Sequence, residues 1–261
     1  MLNIKNLYSE VDNNVERLIL LHQELIKIES VNSGYMPTGN ETEVADFCSD
    51  WLKQYGIESN ILSRVPERGN LISEYPYSSG NKQLLLMSHS DVVPVENYEK
   101  WNKAPFSAEL IEGKIWGRGS SDCKGLLASQ MMALSILAER KIEFNQKFTL
   151  VCGSDEEHGG RYGFGWLAEN HPEELMYKYA VNEGGGSPVT IGNNLYYLLG
   201  TGEKGRLEIK IKIRGESSHA SVPWMGVNAM GPTANAISQI LNYSPDLDCS
   251  TDIFNYLNLF G

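Results

Sequence analysis

Hydrophobic residues recur at helical spacing in four parts of the chain. They stand three or four positions apart, which places apolar side chains on one face of an α-helix. This pattern predicts helices at residues 11–30, 41–55, 125–140 and 231–243. Asn40 and Glu43 have the spacing of a capping box before the second helix, and Gly56 stands where that helix should end.

Elsewhere the apolar residues form short, nearly continuous runs. These runs lie at residues 70–75, 84–88, 148–153 and 178–182. Continuous apolar runs are typical of strands that are buried on both faces. Because these strands alternate with helices, the pattern predicts an α/β domain with a largely buried sheet.

Residues 206–215 follow a different pattern, in which aliphatic and charged side chains alternate strictly. Such alternation predicts a strand with one face in solvent, as is common in antiparallel sheets. The change of pattern predicts a domain boundary near residues 201–205.

Composition and charge exclude several classes of protein. The 261 residues include 33 acidic and 22 basic side chains, which give a formal net charge of −11. This balance argues against nucleic acid or an anionic membrane surface as a partner, and no apolar run is long enough for a membrane span. The 4 cysteines lack C-x-x-C spacing and the first residues lack an apolar signal region, so we expect a cytoplasmic protein.

Histidine and carboxylate side chains follow the predicted strands and turns at four points. They are His89 with Asp91, Asp122, the run 155–157, and Glu183. Because the carboxyl ends of strands in an open α/β sheet meet at one edge, we expect these side chains to lie close together. Crowded carboxylates repel each other unless a cation compensates them, and imidazole with carboxylates suits zinc, with cobalt and manganese as alternatives.

Two of these motifs contain neighbouring residues with separate tasks. His89 and Asp91 are two apart on a strand and share a face, so Asp91 can accept the second N–H of the imidazole. Glu156 and Glu157 are adjacent and should diverge at the end of a strand. One of the two can then bind metal while the other acts as a base, and the pattern does not decide which.

Each motif has a simpler interpretation when it is taken alone. His-x-Asp can be a surface pair, and Asp-Glu-Glu can be a solvated acidic turn. The glycine-rich turn at residues 117–125 suggests a nucleotide-binding enzyme, but Asp122 stands where such a loop has glycine and would repel a phosphate. The order of the four motifs, each after a strand or turn, favours a shared site for one divalent metal or for two that share a bridging carboxylate.

Five motifs in this order resemble the M20 family of metallopeptidases and deacylases, which includes succinyl-diaminopimelate desuccinylase and carboxypeptidase-S-like enzymes. The motifs are HSDVVP, WNKAPFSAELIEGKIWGRGSSDCKG, SDEEHGG, NEGGG and IRGESSHASVP. The resemblance implies a zinc-exopeptidase-like catalytic domain in residues 1–204, with a central, mostly parallel sheet flanked by helices. It also implies part of a smaller α+β lid or dimerisation domain in residues 205–261.

The resemblance further implies which residues hold metal. His89 and Glu183 would bind one zinc ion, and Glu157 would bind a second. Asp122 would bridge the two ions, and Asp91 would lie behind His89.

Hydrolysis of an amide bond in short peptides or N-acyl amino acids is the reaction that the resemblance implies. Glu156 would be the general base, and a cis peptide bond would join Asp122 to Cys123. His219, in the lid domain, would stabilise the oxyanion in a partner subunit's active site, which implies a homodimer. The alternative for His219 is a loop residue that caps the following turn.

The chain departs from the family pattern at its end. The family continues through the lid and returns to the catalytic domain with a further histidine ligand for the second metal. Residues 253–260 are rich in apolar side chains without an evident partner, so we predict an incomplete chain. A non-catalytic metal-binding or dimerisation fragment is therefore the alternative to a hydrolase.

Overall fold

The computed structural model describes residues 4–184, 186–198 and 209–245. Contacts within the chain divide it into two units, residues 1–184 and residues 185–261. The boundary predicted near residues 201–205 lies outside the described residues. The division into domains at residues 1–204 and 205–261 therefore stays a prediction.

Five α-helices occur in the described part of the first unit. They are α1 (Ile4–Asn13), α2 (Val15–Lys27), α3 (Glu41–Lys53), α4 (Lys124–Glu139) and α5 (Phe164–Asn170). The predictions for α2, α3 and α4 are confirmed, since their apolar repeats lie on buried faces. The repeat did not predict α1 or α5.

The turn before α3 differs from the predicted capping box. Asn40 has a φ of 128°, and its side chain accepts no hydrogen bond from a backbone N–H of the first turn. Its amide instead donates to the Glu43 carboxylate. The end of α3 agrees with prediction, because Gly56 has a φ of 72° and its N–H donates to the Lys53 carbonyl at 3.0 Å.

Seven strands occur in the described part of the first unit. They are β1 (Ser59–Ser63), β2 (Gly69–Glu74), β3 (Ser78–His89), β4 (Glu109–Ile111), β5 (Lys114–Trp116), β6 (Phe144–Gly153) and β7 (Tyr179–Val181). Five of them form one sheet in the order β1-β2-β6-β3-β7, while β4 and β5 form a separate hairpin. In the large sheet β2 is antiparallel to both its neighbours, and β3 is parallel to β6 and β7. Four of the five strands therefore run in one direction, and the prediction of an α/β domain with a mostly parallel sheet is confirmed.

The parallel strands end at one edge of the sheet. His89 is the last residue of β3 and pairs in register with Gly153, the last residue of β6. Leu86 pairs with Val181, the last residue of β7. The loops that leave these strands begin side by side, and three of the predicted site motifs lie on those loops.

Hydrophobic residues pack on both faces of the sheet. One cluster joins the sheet to α2, α3 and α4, and includes Leu25, Val44, Leu52, Leu71, Leu127 and Leu150. A second, smaller cluster includes Ile72, Leu85, Val151 and Leu167. Neighbouring residues of β6, such as Leu150 and Val151, belong to different clusters because successive side chains point to opposite faces. This explains the continuous apolar runs in the sequence.

The described part of the second unit contains a hairpin and a helix. The hairpin pairs β8 (Ser187–Ile191) with β9 (Asn194–Leu198), and the helix is α6 (Met230–Leu241). The helix confirms the prediction for residues 231–243.

The strand predicted at residues 206–215 is wrong for the described residues 209–215. Residues 206–208 lie outside the described residues, and residues 209–215 are described but form no strand. A strand needs a neighbour to accept and donate its backbone hydrogen bonds. The nearest pairing among described residues is a single bridge between Glu216 and Val227. The alternation of aliphatic and charged residues therefore indicated an apolar and a polar face, but a local pattern does not show whether a partner strand is present.

Among the helices of the described residues, none combines the length and the apolar character that a membrane crossing requires.

Leu127 tests the packing of α4 against the sheet. Its side chain is fully buried, so Leu127→Ala should lower the free energy of unfolding by about 2–5 kcal/mol through the cavity that it leaves. Urea denaturation measures this change. Ser129→Ala, on the exposed face of α4, is the matched control and should shift the free energy by less than about 0.5 kcal/mol. Equal effects of the two variants would show that α4 is not packed as described.

Candidate metal centre

Three side chains from separate loops meet at the imidazole of His89. Its Nε2 atom lies 2.9 Å from Oδ1 of Asp122, which precedes α4, and 3.3 Å from Oε1 of Glu183, which follows β7. Oε2 of Glu156 lies 3.8 Å from the same nitrogen. The expectation that these motifs converge is correct, because the strands that carry His89, Glu156 and Glu183 end at one edge.

The donor set at this point fits a divalent cation. His89, Asp122, Cys123 and Glu183 each offer one ligand atom, and these atoms lie within 4.8 Å of one another. One imidazole with two carboxylates is a common zinc ligand set, and it also accepts cobalt or manganese. The chemistry of the residues therefore agrees with a divalent metal, and the choice of zinc stays a prediction.

Cys123 is the one member of this cluster that was not predicted. Its Sγ accepts a hydrogen bond from the His89 N–H at 3.1 Å and donates one to the His89 carbonyl at 3.4 Å. Burial is the largest cause that raises the pKa of the Cys123 thiol. Through these two hydrogen bonds Cys123 braces the end of β3. The cis peptide bond expected between Asp122 and Cys123 is present.

Asp91 is fully buried and binds three donors. Its carboxylate accepts hydrogen bonds from the Asn32 side chain at 2.8 Å, from the Glu156 N–H at 3.0 Å and from the Glu157 N–H at 3.2 Å. Burial opposes ionisation of Asp91, but the hydrogen bonds from His89 and Asn32 outweigh it and lower its pKa. Asp91 thus fixes the backbone that carries both glutamates, a role the sequence did not predict.

The contact between Asp91 and His89 differs in part from the prediction. The imidazole Nδ1 lies 3.0 Å from the main-chain carbonyl of Asp91 and 3.5 Å from its carboxylate Oδ1. The carbonyl is the nearer acceptor because the carboxylate is turned towards the amides of Glu156 and Glu157. Asp91 still lies behind His89 and fixes its ring orientation.

Glu156 and Glu157 occupy a short 3₁₀ turn at Glu156–His158. Asp155 precedes this turn with a φ of 59°, a left-handed conformation that redirects the chain after β6. The carboxylate of Glu156 is about half exposed, at 46%. Burial and the nearby charge of Asp122 raise the pKa of Glu157 to about 7. The charge of Asp122 thus acts on Glu157, whereas the Glu156 carboxylate lies beside the His89 ring.

The pKa shifts report an excess of negative charge. Burial is the largest cause that raises the pKa of Glu183, and the charges of Asp122 and Glu156 add to it against the attraction of His89. Burial opposes protonation of His89, but its contacts with Asp91 and Cys123 outweigh burial and raise its pKa. Protons thus take the place that a dication would fill.

His219 lies in the second unit and is exposed. Its Nδ1 lies 2.7 Å from Oγ of Ser221 and accepts the Ser221 N–H at 3.2 Å. These contacts are those of a residue that caps a turn. Its predicted role in stabilising an oxyanion stays a prediction.

A cavity of about 270 Å³ adjoins the cluster. His89, Glu156 and Glu183 form its polar side, and Met87 and Phe164 form an apolar wall. Gly153 makes room for this wall, because a Cβ there would lie 2.6 Å from the Phe164 ring. The cavity has the size of a small substrate group and opens onto the candidate metal ligands.

Four buried polar residues near the site were absent from the predicted site: Asn32, Glu41, Arg68 and Asp155. Asp155 lies within a recognised motif, but the other three are scattered before the first motif. They have no common spacing that a sequence pattern could reveal. The fold alone brings them behind the Glu156–His158 turn.

Comparison with known proteins adds a family match. A sequence profile described as peptidase family M20/M25/M40 matches residues 85–252. An uncharacterized metallohydrolase of Methanocaldococcus jannaschii is 31% identical over 240 residues, which are 87% of this chain and 57% of that protein. Succinyl-diaminopimelate desuccinylase of Ehrlichia chaffeensis is 28% identical over 234 residues, which are 86% of this chain and 56% of that protein. The chain thus spans just over half the length of these relatives.

A solved structure shares the fold. An M20 family metallo-carboxypeptidase from Sulfolobus solfataricus superposes with a TM-score of 0.56 at 26% identity, over 65% of this chain and 37% of that one.

Zinc titration tests the metal centre directly. At a free Zn²⁺ concentration about 100 times the dissociation constant, we expect the melting temperature to rise by about 5–10 °C, since the ion binds the folded state only. Asp122→Asn should remove most of this rise. Asp46→Asn, which alters an exposed acid of α3, is the control and should retain it. A rise in Asp122→Asn equal to that of the unaltered chain would place zinc elsewhere.

The pH dependence of the metal-free protein tests the charge crowding. Glu157 has a pKa of about 7 when folded against an ordinary value of 4.5, so the folded state holds the extra proton between these values. The free energy of unfolding should therefore fall as the pH rises from about 4.5 to about 7. Urea denaturation in a chelator at several pH values measures this fall. Glu157→Gln should reduce it, whereas Glu169→Gln, an exposed acid of α5, should not.

Proposed function

This chain belongs to peptidase family M20/M25/M40, and from that premise we propose that it acts as a metal-dependent hydrolase of amide bonds. The substrates would be short peptides or N-acyl amino acids. The observation that carries this proposal is the meeting of His89, Asp122 and Glu183 at the edge of the sheet, with Glu156 close by.

His89 and Glu183 would hold one zinc ion, and Glu157 would hold a second that Asp122 shares. Cobalt or manganese are alternatives with the same ligands. When bound, such an ion polarises a carbonyl oxygen and lowers the pKa of water. The raised pKa of Glu157 supports its place as a ligand, because a carboxylate beside Asp122 needs a compensating charge.

Glu156 would act as the general base. Its carboxylate oxygen would accept a proton from the attacking water and then deliver that proton to the leaving amine nitrogen. Two features support this role: the side chain is half exposed at the cavity, and Asp91 holds its main-chain N–H. The Glu156 carboxylate therefore lines the cavity that substrate would enter, while its backbone is fixed.

The names of the relatives support an amide bond as the bond to be cleaved, but they differ in substrate. One relative is named a desuccinylase and the structural neighbour is named a metallo-carboxypeptidase. Removal of a succinyl group and removal of a terminal residue both break an amide bond. The cavity of about 270 Å³, with Phe164 and Met87 on one wall, would accept a side chain or acyl group of modest size.

His219 would donate a hydrogen bond to the oxyanion from a partner subunit, in a homodimer formed through the lid domain. The location would be cytoplasmic, as the cysteine usage of the sequence suggests. The role of His219 and the homodimer would involve the second unit, and the location is inferred from composition.

Glu156→Gln tests the mechanism. It should lower kcat by about 10³-fold or more, because the amide cannot accept the proton, while the zinc content per chain equals that of the unaltered protein. Hydrolysis of a panel of dipeptides and N-acyl amino acids measures kcat, and elemental analysis measures zinc. Loss of zinc in Glu156→Gln, with zinc retained in Glu157→Gln, would mean that the two glutamates have exchanged roles. Bound zinc without any turnover by the unaltered chain would favour the non-catalytic fragment.

A further inference from the structure

A buried ionic cluster lies directly behind the turn that carries Glu156. Arg68, 1% exposed, donates from Nη2 to Oε1 of Glu41 at 2.7 Å and to Oδ1 of Asp155 at 3.1 Å. Glu41 is the first residue of α3, and Asp155 follows β6. One guanidinium therefore joins the start of a helix to the residue that begins the catalytic turn.

Asn32 connects this cluster to the metal centre. Its Nδ2 donates to Oδ2 of Asp91 at 2.8 Å and to Oδ1 of Asp155 at 3.0 Å. Its Oδ1 accepts the Gly34 N–H at 2.9 Å, which establishes which atom of the amide is the nitrogen. The Asn32 N–H also donates to the Val92 carbonyl at 2.8 Å, so the segment that carries Asn32 lies alongside the segment that carries Asp91.

The two carboxylates that Asn32 joins hold the turn at both ends. Asp91 accepts the N–H groups of Glu156 and Glu157. Asp155 accepts the N–H of Tyr162 at 3.3 Å through its other oxygen. The backbone from residue 155 to residue 162 is therefore fixed by carboxylates that are themselves oriented from behind.

Burial of such an ionic cluster is unfavourable in free energy, because its charged groups lose their contact with water. Two carboxylates, those of Glu41 and Asp155, share the guanidinium of Arg68 in a region shielded from water, where apolar side chains of similar volume would cost less free energy. The charged groups instead fix geometry, because each charge-assisted hydrogen bond restricts the distance and angle between its two partners. Misplacement of a general base by about 1 Å can cost on the order of 10²-fold in rate.

We propose that Asn32 and Arg68 are positioning residues that hold the Glu156 backbone for proton transfer. This role rests on the proposed function of Glu156 as general base. Neither side chain would touch substrate or metal. Asn32 acts through Asp91 and Asp155, and Arg68 acts through Asp155.

Hydrogen exchange of the metal-free chain tests the structural half of this role without any substrate. In Asn32→Ala, exchange in a peptide covering residues 155–162 should be about tenfold faster, since two hydrogen bonds to buried carboxylates are lost. Exchange in α4 should not change. Tyr75→Phe is the matched control: it removes another buried hydrogen bond, to the Ile142 carbonyl at 3.0 Å, and should leave this peptide unaffected.

Kinetics test the catalytic half. Asn32→Ala should lower kcat by about 10²-fold with KM changed less than about twofold and zinc content retained, whereas Tyr75→Phe should keep kcat. Should Asn32→Ala fail to fold, Arg68→Lys serves in both measurements, because it keeps the buried charge but loses the planar guanidinium.

Unchanged exchange at residues 155–162, or a kcat equal to that of Tyr75→Phe, would overturn the positioning role. If the unaltered chain hydrolyses nothing, the proposed function fails by itself. The exchange measurement then still decides whether Asn32 and Arg68 hold the turn.

Discussion

Repulsion among carboxylates at one edge of the sheet is the constraint on which this structure depends. Asp122, Glu156 and Glu183 lie around the imidazole of His89, and burial with repulsion from neighbouring carboxylates raises the pKa of Glu157 and Glu183. Such a group is tolerated when protons or a dication balance it. The presence of an imidazole nitrogen among the oxygens favours a metal over protons alone. The geometry of the cluster therefore agrees with membership of a metallopeptidase family, because a divalent cation would balance these carboxylates.

The fold produces this crowding through the direction of its strands. β3, β6 and β7 are parallel neighbours, so the residues that follow them emerge at one edge. Each strand delivers a different part of the site: His89 from β3, the glutamate turn from β6 and Glu183 from β7. The loop before α4 adds Asp122. No single loop has to carry all the charges, and Asp91 braces both His89 and the glutamate turn.

Bracing distinguishes the residues that react from those that support them. Asp91 and Asp155 are buried and satisfied by N–H donors, whereas Glu156 is half exposed at a cavity. The supporting carboxylates are thus held at fixed positions by their donors, and the half-exposed Glu156 carboxylate lies at the cavity. Asn32 links the supporting pair, and Arg68 joins Asp155 to Glu41 at the start of α3.

The sequence by itself determined the helices α2, α3, α4 and α6, the buried strands, and the residues His89, Asp122 and Glu183 that meet in space. Periodicity and local order carry this information, because an amphipathic repeat or a strand end is written in neighbouring residues. Tertiary structure alone decided that residues 209–215 form no strand, that Asp91 binds the backbone of Glu156, and that Asn32 and Arg68 lie behind it. The physical reason is that a hydrogen bond depends on which distant segments the packed core brings within about 3 Å, and no local pattern records that distance.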